Sequence, residues 1–195
     1  MITALLFVVG FLSLFFIDPE ITAFYYNRPV NFAWLVRIIT HMVSHANLPH
    51  LLGNFVFGLP FMLYSEYKLK SHVKFLKLFF YTGLAALLGQ GIAEQFMPLQ
   101  VGGVIGSSGA IFGILGFALA SADETKWVRL LALATLGFHI FNQGLLTWYS
   151  IKGLTFGIAF AAHLAGMLAG VAIALILRRR NRRRPGPSRS RKRRP

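Results

Sequence analysis

An all-α polytopic membrane protein with six spans is the fold class the sequence predicts, and three observations carry it. Hydrophobic residues fill 55% of the 195 positions and charged residues only 13%, giving a mean hydropathy of +0.60. The apolar residues gather into six runs long enough to cross a hydrocarbon core of about 30 Å. Lys and Arg cluster at alternate ends of those runs, the asymmetry that sets orientation in a membrane.

The first run, 2–17, lacks the basic start of a signal peptide. It passes into Asp18-Pro19-Glu20 without a small-residue cleavage site, so it is expected to remain as a span. Segment 18–47 is the long connection. Phe24, Tyr25, Tyr26, Phe32 and Trp34 are scattered through it, and the mixed stretch WLVRIITHMVSH suits an element lying in the outer headgroup region. Its aromatic residues read equally as an anchoring belt and as part of a substrate path. Runs 48–64, 73–92, 107–122, 127–149 and 154–177 supply spans two to six, so the membrane domain is expected over 1–177.

With both ends cytoplasmic, Lys68, Lys70, Lys74 and Lys77 follow the second span, Lys126 and Arg129 follow the fourth, and the last eleven basic residues follow the sixth. Only Arg28, Arg37 and Lys152 fall outside. The net charge of +14 is thus largely a topology signal plus the tail 178–195, RRRNRRRPGPSRSRKRRP, which is too polar to fold. Directly cytoplasmic of a span, such a tail meets anionic lipid headgroups, and no nucleic acid is expected. The chain has no cysteine, so disulfides, thiol nucleophiles and thiolate metal sites are excluded.

Polar residues within the spans carry the chemistry, because hydrocarbon penalises them unless they face a cavity or a partner. They are His50 and Asn54, Gln90, Ser107 and Ser108, His139 and Asn142, and His163. Counting about 14 residues from the inner ends of spans four and six places Ser108 and His163 each at ~21 Å above the cytoplasmic boundary. A similar count on span two places Asn54 at ~20 Å and His50 at ~25 Å. One depth shared by three helices is what a single site requires.

A serine hydroxyl becomes a nucleophile beside a base, usually histidine, and acyl transfer needs donors aimed at the developing oxyanion. Ser108 suits the nucleophile and His163 the base. His50 and Asn54, at i and i+4, suit two oxyanion donors, and the Ser108 main-chain N–H at a helix start adds a third. Glu94 is the one acidic residue placed to help, since Asp123 and Glu124 belong to the cytoplasmic end, so a Ser-His dyad is expected. Packing is the competing account: Gly106, Ser107, Ser108, Gly109, Gly113 and Gly116 form a small-residue seam, as do His163, Gly166 and Gly170. His139 stands as a competing base, with a structural hydrogen bond to Asn142 at i+3 as the preferred account.

Together these residues resemble rhomboid intramembrane serine proteases of the small, six-span prokaryotic type. GSSG at 106–109 is similar to the family's GxSG, AHLAGMLAG at 162–170 to its AHxxGxxxG, and THMVSHANLPHLLGN at 40–54 to its H-x3-H-x4-H-x3-N. The resemblance implies a rhomboid-like helix bundle with Ser108 as nucleophile, His163 as base, and His50 and Asn54 as oxyanion donors. It implies a partly embedded first loop at about 18–47, with His41 and His45 supporting the second span or a water path that includes Ser107. Gly106, Gly109, Gly166 and Phe112 support the site, Phe112 standing where many members carry a tyrosine beneath the histidine. Val36-Arg37 stands where the family often has Trp-Arg. Transmembrane-helix proteins are the implied substrates and the plasma (inner) membrane of a prokaryote the implied location, with no cofactor and no metal. A catalytically silent relative that binds membrane helices, and a haem or metal carrier using His41, His45, His50 and His163, are the alternatives.

Overall fold

The computed structural model describes residues 2–26, 30–96, 104–122, 125–151 and 160–183; of residues 143–151, 181 and 183 the backbone alone is described. Arg28, Asp123, Glu124, Lys152, the start of the predicted sixth span and the tail from 184 lie outside them. Among the described residues, all eight elements are helices: α1 (Ile2–Phe16), α2 (Pro19–Thr22), α3 (Phe32–Thr40), α4 (Leu48–Leu69), α5 (His72–Phe96), α6 (Ser108–Ser121), α7 (Lys126–Ile151) and α8 (Phe160–Arg183). α5 and α8, the latter over Phe160–Arg180, are long and apolar enough to cross a membrane. α1 and α6 are apolar but shorter. The helices also overrun the apolar runs: α4 continues past Tyr64 to Leu69, and α8 past Leu177 through Arg178 to Arg183.

Local chemistry sets the boundaries. Asn47 opens α4 by accepting the His50 N–H on its side chain at 2.9 Å, and Asn31 opens α3 by accepting from Trp34 N–H at 2.9 Å. Both occupy donors that a helix start leaves unpaired. Lys70, in the left-handed conformation at φ 50°, closes α4 and turns the chain into α5.

α6 is the hub. Its residues from Gly109 to Ala118 are almost all buried, as expected for a short helix that is apolar on every side. Small residues let its neighbours approach: a Cβ on Gly170 would fall on the carbonyl oxygen of Gly113, one on Gly166 on that of Gly109, and one on Gly113 on Thr82 of α5. Side-chain bonds fasten the periphery. The Glu66 carboxylate accepts from Ile2 N–H at 2.7 Å, Thr3 N–H at 3.1 Å and the Thr3 hydroxyl at 2.7 Å, capping α1 from α4. The Tyr64 hydroxyl donates to Ser121 O at 3.1 Å.

The segment between α1 and α4 divides into two parts that its composition does not distinguish. Phe24 is buried and exchanges both backbone hydrogen bonds with Val104, each at 2.8 Å, tying this segment to the approach to α6. Phe24 also meets Trp34 at 4.9 Å and Tyr26 at 5.1 Å between ring centroids. α3, by contrast, exposes Phe32, Leu35, Val36 and Ile39. Their i, i+3, i+4, i+7 spacing makes one apolar stripe, the form of an interfacial helix. Arg37 Nε donates to Ile21 O at 2.8 Å, joining α3 to α2.

Candidate active site

GSSG folds as a turn feeding straight into a helix. Gly106 has φ +109°, a region glycine enters without strain, and its N–H donates to His41 O at 2.8 Å. A Cβ here would also stand 2.6 Å from His50 Cε1, so glycine is needed for space as well as for conformation. Ser107 is the N-cap and Ser108 the first helical residue, so the Ser108 N–H belongs to the set without an intrahelical acceptor.

The two serines part at this point. Ser107 Oγ lies 3.1 Å from His45 Nε2 and lines a small cavity of about 30 Å³ between α1, α4 and α6. Ser108 Oγ lies 2.9 Å from His163 Nε2 and lines a cavity of about 430 Å³ that His50, Asn54, His139 and Asn142 also line. Asn54 lines both cavities, and its buried Nδ2 has no hydrogen-bond partner. A buried amide donor left unpaired on the wall of the cavity that Ser108 also lines is free to meet an oxygen that arrives there.

Helix approach positions the imidazole. His163 is on α8, buried at 9% exposure, and the Gly109–Gly166 contact one turn away brings its backbone against α6. Phe112 on α6 stacks on the His163 ring at 4.5 Å and 20°. Gln90 on α5 holds the start of α8, its Oε1 accepting the Ala162 N–H at 3.3 Å while its Nε2 donates to Glu94 at 3.2 Å. Glu94 is therefore engaged with Gln90 one turn back on its own helix and does not bond His163, so the acidic helper suggested by the sequence has no support here.

His139 also departs from expectation. No hydrogen bond joins it to Asn142 among the described residues; its Nε2 lies 3.2 Å from His163 Nδ1, across two helices. The i+3 neighbour was the local option, but the ring turns toward α8 and packs on Phe112 at 4.1 Å. The sequence raised it as a competing base but preferred the Asn142 partner; its place behind His163 depends on how α7 is rotated, which spacing does not give. His41 serves the framework, its Nδ1 2.8 Å from Arg37 O and its carbonyl holding Gly106.

The arrangement holds a hydroxyl on an imidazole, an unpaired amide donor and a cavity, which are the parts acyl transfer needs. Residues 33–180 match the Rhomboid domain family. Rhomboid-like protease 3 of Toxoplasma gondii is 30% identical over 141 residues, covering 71% of this chain and 50% of the relative. The chain thus spans about half the length of the curated relative it matches. Its helices, its motif residues and the extent of that match give one conclusion: this chain belongs to the rhomboid family of integral membrane proteins.

Proposed function

We propose that this chain is an intramembrane serine endopeptidase that cleaves transmembrane-helix substrates near the outer side of the membrane through a Ser108–His163 dyad. The observation that carries this reading is Ser108 Oγ at 2.9 Å from His163 Nε2 on the wall of a cavity that the unpaired Asn54 amide also lines. Six spans with both ends cytoplasmic are part of the proposal. The large apolar side chains Phe15, Val56, Leu88, Ile140 and Leu168 are exposed on α1, α4, α5, α7 and α8, which suits lipid on every side of the buried α6. The basic end of α8 and the tail beyond it would then lie against anionic headgroups.

Rhomboids act on membrane-embedded substrates, and the cavity offers a lateral route. It extends to Phe57 on α4 and Phe138 on α7, exposed rings stacked at 5.7 Å. A substrate helix entering there unwinds at its outer end and presents a backbone carbonyl to Ser108. The serine hydroxyl gives its proton to His163 Nε2 as Oγ attacks. Negative charge develops on the carbonyl oxygen, where the Asn54 amide, the His50 ring and the Ser108 N–H can donate. His163 then protonates the leaving amine, and water reaching the cavity releases the acyl group.

The test is labelling of the purified protein with a fluorophosphonate probe, which reacts with an activated serine. Wild type should label, while Ser108→Ala and His163→Ala should not. Equal labelling of all three, or none of folded wild type, would overturn the dyad, as would Ser108→Ala protein that still cleaves a substrate helix.

A further inference from the structure

A Ser-His dyad leaves the second imidazole nitrogen to be accounted for. For His163 to receive a proton at Nε2 it must carry its own proton at Nδ1, and in a buried ring that N–H needs an acceptor. The acidic residues do not supply one. Asp18, Glu20, Glu66 and Glu94 are the acidic residues in the described segments, and none of them bonds His163. The group that faces Nδ1 is His139 Nε2, at 3.2 Å.

We infer that His139 is the positioning residue for His163, so that the dyad works as a Ser108–His163–His139 chain. The inference rests on the protease reading above. The ring geometry matches the role. Phe112 lies flat against His163, fixing the plane of the imidazole, while His139 approaches edge-on at 62° with ring centroids 4.9 Å apart. The two ring nitrogens lie 3.2 Å apart, within reach of an N–H donor and a ring lone pair, so the contact is a polar pairing of named atoms as well as ring packing.

The protons balance without a transfer to His139. Before reaction His163 Nδ1–H donates to His139 Nε2, and the His139 proton sits on its own Nδ1. As Ser108 attacks, its proton moves to His163 Nε2 and makes an imidazolium. The Nδ1–H···Nε2 bond then becomes charge-assisted and stronger, which favours the transition state over the ground state. Without an acceptor at this place, the His163 proton is free to occupy Nε2, where it faces Ser108 as a donor and blocks the base.

Two variants separate this role from packing. His139→Phe keeps a ring against Phe112 and removes the acceptor; His139→Gln restores an oxygen acceptor near the Nε2 position. Cleavage of a single-span substrate in proteoliposomes should show kcat of the Phe variant down by about 10-fold to 10³-fold with KM unchanged, and the probe's labelling rate should fall in parallel. Gln should recover most of both. The inference is overturned if the folded Phe variant turns over like wild type, or if Gln is no better than Phe. Should wild type and Ser108→Ala label alike, the dyad itself fails; Ser108-dependent labelling with an indifferent position 139 removes only the positioning role.

Discussion

Replacing Gly166 with alanine should disarm the serine without unfolding the protein. Gly166 follows His163 by one turn on α8, and a Cβ there would fall on the carbonyl oxygen of Gly109, the residue after Ser108. Ordinary Cβ contacts begin at 3.4 Å, and the obstructing atom is backbone of a buried helix, so α8 must give way. A retreat on the order of 1 Å is the scale of misplacement that lowers kcat about 10²-fold. It also stretches the 2.9 Å Ser108–His163 separation past the reach of about 3.2 Å within which a base takes a proton. Overpacking of this kind costs about 1–3 kcal/mol, within a typical stability of about 5–15 kcal/mol. The assay is cleavage of a single-span substrate in proteoliposomes, with thermal unfolding followed by circular dichroism. Gly137→Ala on α7 is the control, since nothing lies within 4 Å of a Cβ there; it should keep wild-type kcat. A folded Gly166→Ala protein with wild-type kcat would refute the argument that this contact sets the reacting distance.

Two further outcomes are expected. Asn54→Ala removes the unpaired Nδ2 from the cavity and should lower kcat by about 10²–10³-fold, leaving the thermal midpoint and KM close to wild type. Glu66→Ala strips the acceptor from two backbone N–H groups and the Thr3 hydroxyl and should destabilise by about 1–3 kcal/mol. It should leave fluorophosphonate labelling at Ser108 unchanged, because Glu66 acts on α1 and not on the site; denaturation midpoints together with labelling check both halves.

Much of the fold was legible because apolar runs mark helices whether they face lipid or core. What the runs did not mark was where a helix stops once its residues turn polar, as α4 does at Lys70 and α8 beyond Leu177. The first long connection shows another limit. Phe24 and Phe32 look alike in sequence, yet one is buried by a backbone bridge to Val104 and the other is exposed on α3. Residue counting along helices placed Ser108, His163 and Asn54 at one depth, because rise per residue is fixed by the backbone. Rotation of a helix about its axis is set by packing instead. That is why His139 read as a partner for Asn142 on its own helix, while the fold turns it to His163.

The small-residue seam and the Ser108–His163 pair are one feature seen from two sides. A serine and a histidine on neighbouring helices meet at 2.9 Å only if the backbones come closer than ordinary side chains allow, and Gly109, Gly113, Gly166 and Gly170 provide that approach. The same closeness excludes Ser107 from the pair. One residue earlier and before the first helical turn, its hydroxyl goes to His45 and the small cavity on the far side. GSSG therefore holds two hydroxyls with separate partners. Gly106 makes the division possible, since its φ of +109° lets the chain enter α6 directly beneath His50 and Asn54. A side chain at that position would push the turn away from α4 and so separate Ser108 from His50 and Asn54 as well as from the cavity they share.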